Sequence, residues 1–187
     1  MENKILLERI IPSDREVLFA CIGTDRSTGD SLGPLVGSEL SKRGYTVIGT
    51  VHHPLHALNL EETIENIKQN YPNHLVVAVD ACLGNVDDIG QVIVQLGPLI
   101  PGKAVKKDLP PMGDIAIKGI VNIGGFMEYN VLQSTRLSVV LDIANEIITT
   151  CDEVMQKRIS HKRKSFILFS FINEDLFKKL RRRLKFI

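Results

Sequence analysis

Asp30, in CIGTDRSTGDSLGPLVG, and Asp80, in VAVDACLG, each follow an apolar run of strand length. Two carboxylates held close together repel as like charges, which raises one pKa and leaves a shared proton. One of them then acts as base toward water and the other as acid toward a carbonyl or leaving group, and such a pair can hydrolyse an amide. Each aspartate also has a structural reading. An aspartate ahead of an apolar-periodic segment ordinarily caps a helix, and Pro34 fits a helix that starts near Asp30. A carboxylate ending an apolar strand, as Asp80 does, serves either as a site residue or as an acceptor for loop amides. Asp25, a third acid of the first loop, reads as a turn residue. Gly29 and Gly33 flank Asp30 and let chains approach closely there, and Ser31 adjoins it.

Other reactive side chains lie near the same strand ends. His52, His53 and His56 (VHHPLH) form a close set of imidazoles, but Pro54 bends the segment and no carboxylate or cysteine stands beside it. A polar loop is therefore the reading taken, a metal site is the competing one, and no metal is expected. Cys82, two residues past Asp80, is either a nucleophile with His56 as its base or a small buried hydrophobe. Gly29, Ser31, Asp25, His56 and Cys82 are therefore the supporting or substrate-binding candidates around the aspartate pair. Phosphate cofactors are set aside. GTDRSTGDS lacks the lysine of GxxxxGK, its acids would repel phosphates, and no GxGxxG follows a strand. No cofactor is expected.

The elements that must position these groups can be read from hydrophobic pattern. Residues 17–22 (VLFACI) form a strand, and Leu32, Leu35, Val36 and Leu40 recur at helical spacing until Gly44. Residues 46–51 predict a second strand and residues 58–69 a helix stopped by Pro72. Residues 75–79 (LVVAV) are a continuous apolar run of the kind found in a parallel sheet covered on both faces. Residues 91–96 and 115–121 are further strands, and residues 129–150 predict one long amphipathic helix. Strands alternating with helices give an α/β fold, a three-layer α/β/α sandwich with a mostly parallel central sheet. In such a sheet, reacting groups gather at the carboxyl ends of the strands, where Asp30 and Asp80 both fall.

The chain of 187 residues is long enough for one ordinary domain, and its 23 basic and 22 acidic residues give a net charge of +1. That near-neutrality hides a division. Residues 1–156 hold twelve basic and twenty acidic residues, net −8, and residues 157–187 hold eleven and two, net +9. The expected organisation is one α/β domain over 1–156 and a basic amphipathic tail over 157–187. Asn173 reads as the N-cap of a last helix with Leu176, Phe177, Leu180 and Leu184 on one face. Such a tail either touches an anionic surface or packs its apolar face and leaves its cations solvated. A nucleic-acid partner is not expected, and a homo-oligomer is left open. Three separated cysteines and an N-terminus without a continuous apolar segment predict a reducing cytoplasm.

The segments CIGTDRSTGDSLGPLVG, HALNL, VAVDACLG, GPLIPG, GIVN and GFMEYNVLQSTRL resemble the YyaC family of sporulation proteins of endospore-forming bacteria, over about residues 17–150. That family in turn resembles the spore germination protease, whose corresponding segments read GN, a short polar stretch, PDALGP, and later AIDAL. It also resembles the hydrogenase maturation endopeptidases, which share the three-layer fold. By motif, the two functional aspartates of the germination protease fall on Asp30 and Asp80. Thr24 stands in place of the GN asparagine, Lys103 in place of a small residue, and KDLPPMGDI offers no histidine for nickel. The resemblance implies a sporulation-associated endopeptidase that acts on a spore protein or peptide in the forespore or spore interior. The alternative is a non-catalytic sporulation protein that binds a peptide or protein partner in the same crevice.

Overall fold

The computed structural model describes residues 2–101 and 109–184, with side chains through residue 161. Lys103 and the apolar face drawn through Leu176, Phe177, Leu180 and Leu184 therefore lie outside the described side chains. Five strands form one sheet: β1 (Val17–Cys21), β2 (Thr46–Ile48), β3 (Leu75–Gly84), β4 (Val92–Leu96) and β5 (Ile115–Ile123). Their order is β2-β1-β3-β5-β4. β1 pairs in parallel with β2 and β3, β3 pairs in parallel with β5, and only β4 runs antiparallel, against β5. The central position of β3 explains its unbroken apolar start. Leu75, Val77, Ala78 and Val79 are all buried, because both faces of a parallel sheet are covered.

Helices α2 (Leu32–Lys42) and α3 (Leu60–Asn70) serve opposite faces. Leu60 and Ile67 of α3 join Leu18, Ala20, Ala78, Ala116, Leu99 and Met112 in one core cluster. On the other face α2 comes so close to β1 that a methyl at Gly33 would overlap the Ile22 carbonyl oxygen, and one at Gly37 the Gly49 carbonyl oxygen. Ile143, from the long helix introduced below, and Leu32 lie over Gly119 of β5 on this face. The result is the α/β sandwich with a mostly parallel sheet that the alternation of patterns predicts.

Several elements differ from their pattern. β3 continues five residues past Val79, so that Asp80 lies inside a strand and Cys82 beyond it still pairs with Ile120. The helix predicted over 129–150 is two helices, α4 (Glu128–Gln133) and α5 (Leu137–Leu184). The break has a local cause: Ser134 Oγ donates to Asn130 O at 2.8 Å and Thr135 Oγ1 to Val131 O at 2.8 Å, hydroxyls competing for the carbonyls at the end of α4. Asn173 is not an N-cap, since the backbone is helical on both sides of it; no Gly or Pro interrupts residues 151–184. A helix that the pattern leaves unassigned, α1 (Glu2–Ile10), buries Leu7 and donates from Asn3 Nδ2 to the Val92 carbonyl of edge strand β4. The chain divides into two compact units, Met1–Asp152 and Glu153–Ile187. No helix among the described residues is long and apolar enough to cross a membrane.

Candidate active site

Asp30 is set by a backbone turn and not by a cap. It lies in the 3-10 turn Gly29–Ser31, and neither that turn nor α2 has a side-chain cap bond. The turn is fixed from three sides. Its Asp30 carbonyl accepts from Thr24 N at 3.1 Å, and Ser31 Oγ donates to Thr28 O at 2.6 Å. Gly29 is packed so closely against α4 that a methyl there would come within 2.9 Å of Leu132 Cδ2 and 3.0 Å of Thr135 Oγ1. Gly23, at φ +140°, has space for a hydrogen only, because a Cβ would overlap the Asp30 carbonyl oxygen. The glycines of this loop therefore bring β1, the Asp30 turn and α4 within backbone contact of one another.

Asp80 is delivered by β3, one residue after the Val79 carbonyl accepts from Ile22 N at 2.7 Å. Side chains two apart on a strand share a face. Ala78 and Ala116 belong to the core cluster that includes α3, so Asp80 on β3 and its register partner Lys118 on β5 rise on that same face, just past the core. They enter a cavity of about 530 Å³. Its lining contains Asp30, Asp80, Cys82 and Lys118, two further carboxylates (Asp88 and Glu128), and an apolar wall that includes Ile93, Leu99, Ile120 and Leu132.

The two aspartates differ electrostatically. Burial pushes Asp80 well above the usual carboxylate range, the charge of Asp30 pushes it further, and the Ala81 N–H, donating to Asp80 Oδ1 at 2.8 Å, opposes both. Burial also raises Asp30, against the Thr24 N–H and the neighbouring His56, which both lower it. When one proton is shared between the pair, Asp80 is its preferred holder and Asp30 is the ionised partner. This arrangement supplies a base for water and an acid for a leaving group.

The remaining candidates divide. His56 adjoins Asp30, and its Nδ1 is buried without a hydrogen-bond partner among the described residues, whereas His52 and His53 are exposed. Among the described residues no three His, Cys, Asp or Glu side chains converge as a metal-binding set. Cys82 forms part of the cavity wall, and burial pushes its thiol up to about 11 against the pull of Lys118. A protonated thiol of this kind is not an activated nucleophile. Asp25 is exposed outside the cavity lining, its carboxylate 3.5 Å from Thr24 Oγ1. Gly29 and Ser31 act through the turn geometry. Pattern reading passes over Lys118, Gln95, Asp88 and Glu128. For Lys118 a signal exists, since it is the one charged residue in the apolar strand IAIKGIV.

Among solved structures the fold is similar to the [NiFe] hydrogenase maturation protease HycI from Thermococcus kodakarensis KOD1, with a TM-score of 0.58 at 20% identity over 81% of this chain and 99% of that one. In sequence, the chain is 48% identical over 154 residues to the uncharacterized protein YyaC of Bacillus subtilis (strain 168), covering 78% of this chain and 75% of the relative. The model of the family described as "Protein of unknown function (DUF1256)" matches residues 2–150, a span that contains every described residue lining the cavity. The chain therefore belongs to the DUF1256 family.

Proposed function

We propose that this protein is a peptide-bond hydrolase that uses Asp30 and Asp80 as an acid–base pair, an endopeptidase associated with sporulation. The observation that carries the reading is the convergence of the two carboxylates, one from the Gly29–Ser31 turn and one from β3, on one cavity, where the charge of Asp30 raises Asp80. The ionised partner removes a proton from water as water attacks the scissile carbonyl. The protonated partner then delivers its proton to the departing amide nitrogen. The apolar wall and the carboxylates Asp88 and Glu128 suit a peptide segment of a spore protein, lying across the open carboxyl ends of the strands. The fold shared with a maturation protease supports the class; the setting, the forespore or spore interior, rests on the resemblance to the sporulation family.

The test is incubation of the purified full chain with a peptide library and with extracted spore proteins, with products read by mass spectrometry. Cleavage by the wild type and its loss by about 10²-fold or more in both Asp30→Asn and Asp80→Asn is the expected result. Undiminished turnover in either variant overturns the pair. Saturable peptide binding with no product at any pH from acidic to neutral transfers the cavity to the peptide-binding alternative.

A further inference from the structure

Lys118 is placed where the proposed chemistry lacks a group. An aspartate pair moves protons, but nothing in it neutralises the charge that develops on the carbonyl oxygen when water adds. Lys118 stands directly opposite Asp80 on the adjacent parallel strand, on the same face, and both side chains line the cavity. Neighbouring strands are about 4.8 Å apart, so the two groups stand side by side at one level of the cavity wall. Lys118 Nζ donates to Gln95 Oε1 at 2.9 Å and forms no ion pair with Asp80 among the described residues. An ammonium has three donors, and the amide of Gln95 takes one without cancelling its charge. Among the described residues lining the cavity, Lys118 is the one cation, facing Asp30, Asp80, Asp88 and Glu128. Lys118 is half-buried and is the one charged side chain in the apolar stretch IAIKGIV.

We propose that Lys118 is a catalytic residue, its ammonium held by Gln95 so that it receives the scissile carbonyl oxygen as the bond to water forms. This rests on the peptidase reading above. As the water oxygen bonds to carbon, one water proton passes to the ionised aspartate and the carbonyl π pair moves onto the oxygen facing Lys118. When the carbon–nitrogen bond breaks, its electron pair leaves with nitrogen, which takes the proton of the other aspartate, and the carbonyl re-forms as a carboxylic acid. No oxidant, metal or co-substrate enters. The ammonium is fixed by Gln95 before substrate arrives, so its stabilisation of the oxyanion requires little reorganisation.

The experiment uses the best-cleaved library peptide and its phosphinate analogue, a tetrahedral anion at the scissile position. Lys118→Met is expected to lower kcat by about 10²-fold or more with little change in KM, and to weaken phosphinate binding by a similar factor. Lys118→Arg should restore part of kcat, and Gln95→Leu should show a smaller loss of the same kind. Thermal melts identify any variant that fails to fold; Gln95→Leu and Lys118→Arg then carry the test. A rise in KM alone, or unchanged kcat in Lys118→Met while Asp80→Asn is inactive, overturns the role of Lys118 and leaves the aspartate pair standing. Wild-type activity that survives Asp80→Asn overturns the peptidase reading and this role together.

Discussion

Asp80 carries a cost that a melting curve can read. Its folded-state pKa lies well above the ordinary carboxylate value of 3.8, so the native chain binds this proton more tightly than the unfolded chain does. Over the interval between those values the native state holds more protons, and stability falls as pH rises. Below the unfolded value both states are protonated and the penalty vanishes. Asp80→Asn cannot ionise yet keeps an oxygen to accept from the Ala81 N–H. It should therefore melt above the wild type near neutral pH, with the difference shrinking as pH falls toward about 4. A variant less stable than the wild type at neutral pH would contradict this desolvation. Both aspartates were legible from residue type and strand-end position, because a carboxylate after an apolar run demands an explanation. Which of them retains the proton was not, since that depends on burial and on neighbours as distant in sequence as Asp30 and Asp80.

The element that matters most is the segment from Ile22 to Gly33, where strand, 3-10 turn and helix meet at van der Waals distance. A methyl at Gly33 would overlap the Ile22 carbonyl oxygen and crowd its backbone nitrogen, and this backbone, one residue past β1, is held by Ile22 N donating to Val79 O and cannot move aside cheaply. Gly33→Ala should cost at least about 3 kcal/mol in urea unfolding. Any folded fraction should lose activity beyond its loss of stability, because Asp30 rides on the same turn. Stability within experimental error of the wild type would show that α2 can shift off β1. The glycines were visible in the sequence, and their spacing around Asp30 predicted close approach. The identity of the approaching chain was not visible: Leu132 and Thr135 of the α4 region meet Gly29 from a hundred residues away. The break between α4 and α5 was likewise hidden, because the apolar periodicity continues through it while two hydroxyls end the first helix.

At the scale of the whole molecule, charge and chemistry separate. Every described residue lining the cavity lies between Asp30 and Leu132, within the unit Met1–Asp152 and the acidic stretch 1–156 of net −8. The eleven basic residues of 157–187 lie outside that unit. A chain ending at residue 156 should consequently keep peptide cleavage unchanged while its net charge falls from +1 to −8. Loss of cleavage in a truncated chain that melts like the full one would place the basic tail in substrate binding. We propose contact with an anionic surface as the role open to this tail, read as salt-dependent binding of the full chain, and not of the truncated one, to vesicles containing anionic lipid.

The sequence by itself determined the α/β class with its mostly parallel sheet, and it records the division into an acidic stretch 1–156 and a basic stretch 157–187 and the two aspartates that follow apolar runs. These follow from local composition and periodicity, which a chain cannot disguise when a strand is buried on both faces. Tertiary structure alone decided that β3 extends to carry Asp80 and Cys82 into a cavity and that β5 sets Lys118 opposite Asp80. It also decided that Gln95, from the antiparallel strand β4, holds that lysine. Those relations are matters of strand order and register, and register is fixed by how the faces of the sheet are covered, which no single segment records.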